Sequence, residues 1–324
     1  MERIEYTDLI LKKKPPIGYI TINRPEKRNA LTTFKGGTVQ QLSQAALDMR
    51  DDPEIRVFIV KGAGDCFCAG FDLGRYDEAM WKEQKDLPEV VKWVEAVKDE
   101  PWARYGRVRG DLSNPEGGSL APPDLFFEEY WNNPTPSIAM VHSYCLGAGL
   151  WLANSCDIVY AAPNAVFAYP PIRYGASVVL SILPPWLMGR RMNLWMALTG
   201  QYITAEEALN SNLITKLIPE DKLEEEVIKL ATSIARVPPA TNMFSKRAIN
   251  NYFEGLGIQQ AKRLGSAFVR ITENSMVPGH YMDFFDKVRK HGLREGLRLQ
   301  RENYGTTDSV MEQEMNRLKA KKES

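Results

Sequence analysis

Two short apolar stretches, each running through a glycine turn, constrain the fold of this 324-residue chain more than any other feature. The first, Val57-Phe58-Ile59-Val60, turns at Gly62-Ala63-Gly64-Asp65 into Cys66-Phe67-Cys68-Ala69-Gly70-Phe71-Asp72-Leu73. The second, Ser137–Val141, passes through Leu146-Gly147-Ala148-Gly149 into an apolar helical stretch over 150–154. Short apolar runs bounded by glycine read as buried strands, and strands that alternate with helical stretches in this way belong to an α/β fold.

The rest of the pattern agrees. Apolar runs at 9–11 and 17–22, separated by Lys12-Lys13-Lys14-Pro15-Pro16, predict a hairpin. Leu31, Phe34, Val39, Leu42, Ala45, Ala46 and Met49 predict a helix over 31–49, stopped by Asp51-Asp52-Pro53. Strands are expected at 158–161 and 166–169. From Asn193 onward the spacing is mainly helical, with a capping box at Thr204 to Glu207 and a helix opened by Asp221. The chain divides into a core over 1–235 and a helical region over 236–324 that ends in a charged tail from Arg298. The Trp-, Pro- and charge-rich segment at about 75–130 is too long for a structureless connection, and its place after the first glycine turn marks it as a lid-like insertion.

Charge excludes several function classes. Lys+Arg and Asp+Glu number 41 each, so there is no global basic field to hold nucleic acid or an anionic membrane. Apolar stretches fall short of the roughly 20 residues a membrane span needs, and the first residues do not resemble a signal peptide. A cytoplasmic protein is expected. Four cysteines are too few for a disulfide framework and three scattered histidines make no ligand cluster, so no metal is expected. Cys66 and Cys68 lack a partner pair and read as a buried strand end.

A glycine turn that ends a strand and precedes a helix presents backbone N–H groups with no intrahelical acceptor. Two such donors converging on one oxygen polarise a thioester carbonyl and stabilise an enolate or tetrahedral anion. Either turn alone is also an ordinary tight connection.

Three segments in order carry a resemblance: Ile20-Thr21-Ile22-Asn23-Arg24-Pro25-Glu26-Lys27-Arg28-Asn29-Ala30-Leu31, then Phe67 to Leu73, then Gly147-Ala148-Gly149 with Cys156-Asp157-Ile158-Val159. Over about 6–250, the lid-like segment excepted, the chain resembles the crotonase (enoyl-CoA hydratase/isomerase) superfamily. The resemblance implies a spiral of strand-strand-helix repeats, a C-terminal α-helical region used for trimer packing, and a trimer or hexamer. It implies an acyl-CoA thioester substrate, with coenzyme A entering as part of the substrate and no other cofactor.

By the same resemblance, the N–H groups of Phe71 and Ala148 are the oxyanion donors, with Gly147 in the second turn. Lys27, Arg28 and Ala30 skirt the CoA phosphates and adenine, backbone around Cys68, Gly70 and Asp72 cradles the adenine, and Lys246 reaches a CoA phosphate. The two glutamates that move protons in hydratases of the family fall at Trp151 and Pro171, whose side chains transfer none. Other groups on the pocket wall are Asp124 and Glu128, spaced i,i+4, then Glu129, Tyr169, Arg173 and Tyr174, with Glu128 the first choice. The expected function is hydration or dehydration of a bulky or cyclic enoyl-CoA through an oxyanion-stabilised enolate. The alternatives are C–C hydrolysis, decarboxylation or isomerisation of a CoA thioester, or non-catalytic acyl-CoA binding. Met243, Phe244, Ile249, Phe253 and Leu256 exceed what one thin helical layer need bury, which agrees with an oligomer.

Overall fold

The computed structural model describes residues 5–32, 36–73, 127–180, 182–273, 284, 287–288 and 290–304. Asp124, most of the lid-like segment and the tail beyond 304 lie outside the described residues.

β1 (Leu9–Lys14) pairs antiparallel with β2 (Ile17–Ile22), with Leu9 opposite Ile22 and Lys14 opposite Ile17. The three lysines expected in the turn thus belong to the strand, and they line an exposed sheet edge, where lysine discourages further pairing. β3 (Val57–Gly62), β4 (Ser137–Val141), β6 (Ile158–Ala161) and β9 (Lys216–Leu217) follow β2 in parallel to complete a six-stranded sheet.

A parallel sheet buried on both faces asks for continuous apolar strands, and β3 supplies them. Phe58 and Val60 point into the main core, while Val57 and Ile59 meet Val227 and Ala231 of the helix Leu223–Arg236 on the other face. A second sheet holds β5 (Tyr144–Leu146), β7 (Val166–Ala168) and β8 (Ile203–Thr204), with β5 parallel to β7 and β8 antiparallel to β7. The chain therefore leaves the large sheet at β4, crosses to the small one at β5, and enters the helix Ala148–Ser155. It repeats the crossing at β6 and β7, which is the expected spiral.

The helix expected from residue 31 begins instead at Thr38 and runs to Arg50. Leu31 forms a parallel bridge with Phe71, and its N–H donates to the Gly70 carbonyl at 2.8 Å. Buried Asn29 donates to the carbonyls of Ala63 and Cys66, both at 2.8 Å. Residues 29–31 are thus spent as a strap on the first glycine turn, a tertiary use that outweighs helical spacing. The capping box at Thr204 and Glu207 forms as expected.

The C-terminal helices are Pro239–Gly255, Ile258–Glu273 and Leu293–Tyr304. Phe244, Ile249, Tyr252, Leu264 and Phe268 on the first two, and Leu256 between them, are more than half exposed. No described helix is long and apolar enough to cross a membrane.

Candidate active site

Cys68 and Cys145 form an isolated parallel bridge, with Cys68 N donating to the Tyr144 carbonyl at 2.8 Å and Leu146 N to the Cys68 carbonyl at 3.0 Å. Two parallel strands in register end at the same level. The turns that follow, at Gly70-Phe71 and Gly147-Ala148, therefore lie side by side. A Cβ on Gly147 would stand 3.9 Å from Gly70 Cα, and one on Gly70 would stand 3.0 Å from the Leu146 carbonyl oxygen and 3.6 Å from Ala148 N. Gly70 and Gly147 have positive φ, 100° and 51° respectively. Gly149 is required by contact, since a Cβ there would lie 2.7 Å from Cys68 Cβ. The first turn of the helix is pressed onto the first glycine turn.

Ala148 is the first residue of that helix, so its N–H has no intrahelical acceptor. Phe71 follows Gly70 at the adjoining turn. The four cysteines are buried and free, and burial pushes the Cys66 thiol up to about 11 and the Cys68 thiol up to about 12, so neither is a thiolate nucleophile at neutral pH.

The segment expected to skirt CoA is bound to the same turn. Lys27 ends a short 3-10 helix, Pro25–Lys27, and Arg28 adopts a left-handed conformation with φ 52°. Both side chains are exposed; the Arg28 guanidinium stands 5.5 Å from the centre of the Tyr144 ring, and its carbonyl accepts from Ala69 N at 3.0 Å. Ala30 is buried. Asp72 is held by Arg24 in an ion pair at 3.0 Å. Lys246 does not stand alone: its ammonium meets Asp157 at 2.9 Å and the Tyr130 carbonyl at 3.0 Å. Burial raises the Asp157 carboxyl above its ordinary value of 3.8, and Lys246 pulls it back.

Gly147 N donates to the Ala168 carbonyl at 2.9 Å, which sets Tyr169 beside the second turn. Tyr169 is buried and its hydroxyl donates to the Ser177 carbonyl at 3.0 Å. Pro171, Arg173 and Tyr174 follow in the 3-10 helix Pro170–Tyr174, where the Arg173 guanidinium lies 5.8 Å from the Tyr202 ring centre; the Tyr174 side chain is outside the described residues. Trp151 is buried with its ring perpendicular to Phe127, centroids 5.7 Å apart.

Glu128 opens the short helix Glu128–Trp131 and lines a small cavity with Trp131 and Trp151; Tyr169 is not among its walls. Its carboxylate pairs at 2.7 Å with Lys262, a residue with no motif around it in the sequence. Lys262 is 5% exposed and its ammonium stands 5.3 Å from the centre of the Trp131 ring. Glu129 turns the other way and accepts from Ser43 at 3.3 Å. A larger cavity of about 400 Å³ lies at the far end of the helix Ala148–Ser155, with Asn154, Asp157, Lys246, Ile249 and Phe253 in its wall. Neither Phe71 nor Ala148 lines it, so the glycine turns are the better candidate for chemistry despite its size.

Comparison with known proteins gives a concordant result. The family model described as Enoyl-CoA hydratase/isomerase matches residues 12–101 and 124–288. A mevalonyl-coenzyme A hydratase of Aspergillus fumigatus is 28% identical over 249 residues, which cover 76% of this chain and 79% of that protein. A crystal structure of an enoyl-CoA hydratase/isomerase from Xanthobacter autotrophicus Py2 superposes with a TM-score of 0.73 at 25% identity, covering 93% of this chain and all of that one. An enoyl-CoA hydratase structure from Mycobacterium smegmatis gives 0.71 at 22% identity, covering 92% of this chain and 94% of its own, and speaks to the fold.

Proposed function

From the premise that the chain belongs to the enoyl-CoA hydratase/isomerase family, we propose that it hydrates or dehydrates a bulky or cyclic enoyl-CoA, with the N–H groups of Phe71 and Ala148 as donors to the thioester oxygen. The observation that carries this reading is the Cys68–Cys145 bridge, which sets two strand-end turns side by side with an unsatisfied helix N-terminus in one of them. Charge that develops on the thioester oxygen as the enolate forms is met by fixed donors, with no reorganisation at the moment of reaction. The hydratase names of the relatives agree with this choice of reaction.

The acyl group, in this reading, runs along the helix Ala148–Ser155 past Trp151, with Tyr169 and Pro171 on the opposite wall. Glu128 is the group that moves the proton, and Lys262 fixes its orientation. The CoA moiety lies along Lys27, Arg28 and Ala30, with backbone at Cys68, Gly70 and Asp72 beneath the adenine and no cofactor beyond the substrate's own coenzyme A. The 1–235 core and the 236–324 helical region form the two parts of the protomer, and the exposed apolar face of the latter packs a trimer or hexamer. Balanced charge and four buried free thiols agree with a cytoplasmic setting.

A second reading keeps the hole and changes the reaction. By the resemblance, Trp151 and Pro171 fall where hydratases of the family carry their two glutamates, which favours C–C hydrolysis, decarboxylation or isomerisation, or binding without catalysis. A panel of enoyl-CoA and other CoA thioesters followed by mass spectrometry separates these. A gain of one water on an enoyl-CoA supports hydration; loss of carbon dioxide, C–C cleavage or an unshifted mass with a moved double bond supports the second reading; no change in any thioester leaves binding.

A further inference from the structure

The small cavity beside Glu128 has features that the proposed chemistry does not use. Its walls include Glu128, Trp131, Trp151, Asn154, Trp186 and Lys262, and at about 10 Å³ it has room for a single oxygen-sized group. Among the described residues, Trp131 Nε1 and Trp186 Nε1 are buried and find no acceptor. A buried donor left unpaired is costly, and two indoles that carry such donors and line one niche call for an acceptor there. The charges in the niche are already balanced: Lys262 pairs with Glu128 at 2.7 Å, and the other Glu128 oxygen accepts from Asn132 Nδ2 at 3.1 Å. An anionic group would therefore enter without a free cation to meet it, and a hydrocarbon end would leave both indoles unpaired.

The niche and the candidate oxyanion hole are joined by one helix. Ala148, Trp151 and Asn154 follow one another at three-residue intervals along one helix, so that each neighbouring pair is in contact, and both Trp151 and Asn154 line the niche. At 1.5 Å per residue, Ala148 and Asn154 are about 9 Å apart along the axis.

We propose that this niche is a specificity subsite for one neutral oxygen, a hydroxyl or carbonyl carried about 9 Å from the thioester carbonyl, with the Trp131 and Trp186 indoles as its donors. The inference rests on the placement of the acyl group along Trp151 made above. It names the substrate class more closely: an oxygenated acyl-CoA in preference to a hydrocarbon one.

The test uses two saturated thioesters that cannot be hydrated, ω-hydroxyheptanoyl-CoA and octanoyl-CoA, which differ by a hydroxyl in place of a methyl at the chain end. Their affinities are measured by calorimetry on the whole protein. The hydroxylated thioester binds tighter by about tenfold or more, and the ratio falls toward one in Trp131→Phe and in Trp186→Phe, which keep a ring and remove the donor. Equal affinities in the unaltered protein overturn the subsite while leaving the CoA-thioester reading intact. So does a preference that persists undiminished in both variants. Failure of both thioesters to bind removes the CoA-thioester reading and the subsite with it.

Discussion

Glu128 and Lys262, 134 positions apart in sequence, meet in an ion pair at 2.7 Å with the Trp131 ring beneath the ammonium. The pair joins the helix before β4 to the second C-terminal helix. Exchange of Glu128 for Gln keeps the shape and removes the carboxylate, so turnover falls by about 10²-fold or more while CoA affinity, measured separately, changes little. Unchanged turnover would move the proton-handling role to Tyr169, tested as Tyr169→Phe, or to Asp124, tested as Asp124→Asn.

Lys262→Met leaves the Glu128 carboxylate without its cation. If Lys262 only orients Glu128, the variant loses part of kcat and keeps the affinity for thioester, and Lys262→Arg recovers most of the loss. A Met variant as active as the parent shows that the pair is structural.

Ala148 occupies the first position of its helix, the one where proline is best tolerated, so Ala148→Pro removes an N–H and leaves the helix start in place. Loss of one oxyanion donor costs about 10²–10³ in kcat. Circular dichroism checks the fold of the variant, and turnover within about tenfold of the parent refutes the oxyanion assignment.

Lys246→Met tests the Asp157 contact by its pH dependence. Burial holds the Asp157 carboxyl above 3.8, so the folded protein keeps this proton more readily than the unfolded chain does. Through this group stability is greatest at low pH and declines as pH rises through the raised value. Lys246 offsets that decline only while Asp157 is charged. The Met variant is therefore less stable by about 1–2 kcal/mol at neutral pH, the partly open carboxylate being screened by solvent. The deficit shrinks as pH falls through the raised value of Asp157. A deficit of the same size at both ends of a denaturation series would show that the loss is one of packing.

Phe244, Ile249 and Leu256 are 62%, 59% and 63% exposed, more apolar surface than a lone protomer leaves open without consequence. Light scattering at micromolar concentration gives a trimer or hexamer, and Phe244→Glu with Leu256→Glu shifts it toward the monomer. A monomeric parent protein contradicts the proposed packing.

What could be read in the sequence was what short range decides. Val57 to Val60 announced a strand by composition, Thr204 and Glu207 announced a helix start by a reciprocal cap, and Gly70 and Gly147 marked turns because their conformations suit glycine. The start of the helix at Thr38 was hidden because Leu31 keeps helical spacing yet is drawn into a bridge with Phe71. Lys262 gave no local signal at all, since its partner lies on a different element. The short strands β8 and β9 have two residues each and owe their form to their neighbours.

Asn29 holds the carbonyls of Ala63 and Cys66, and Leu31 holds Gly70, so the segment proposed to touch the nucleotide end of the substrate also braces the turn proposed to touch its reacting end. The two ends of a long ligand are read by one mechanical part. Substitutions between Arg28 and Leu31 will therefore not sort into those that alter KM and those that alter kcat: both constants will move together, and double mutants that pair this segment with Phe71 or Ala148 will depart from additivity.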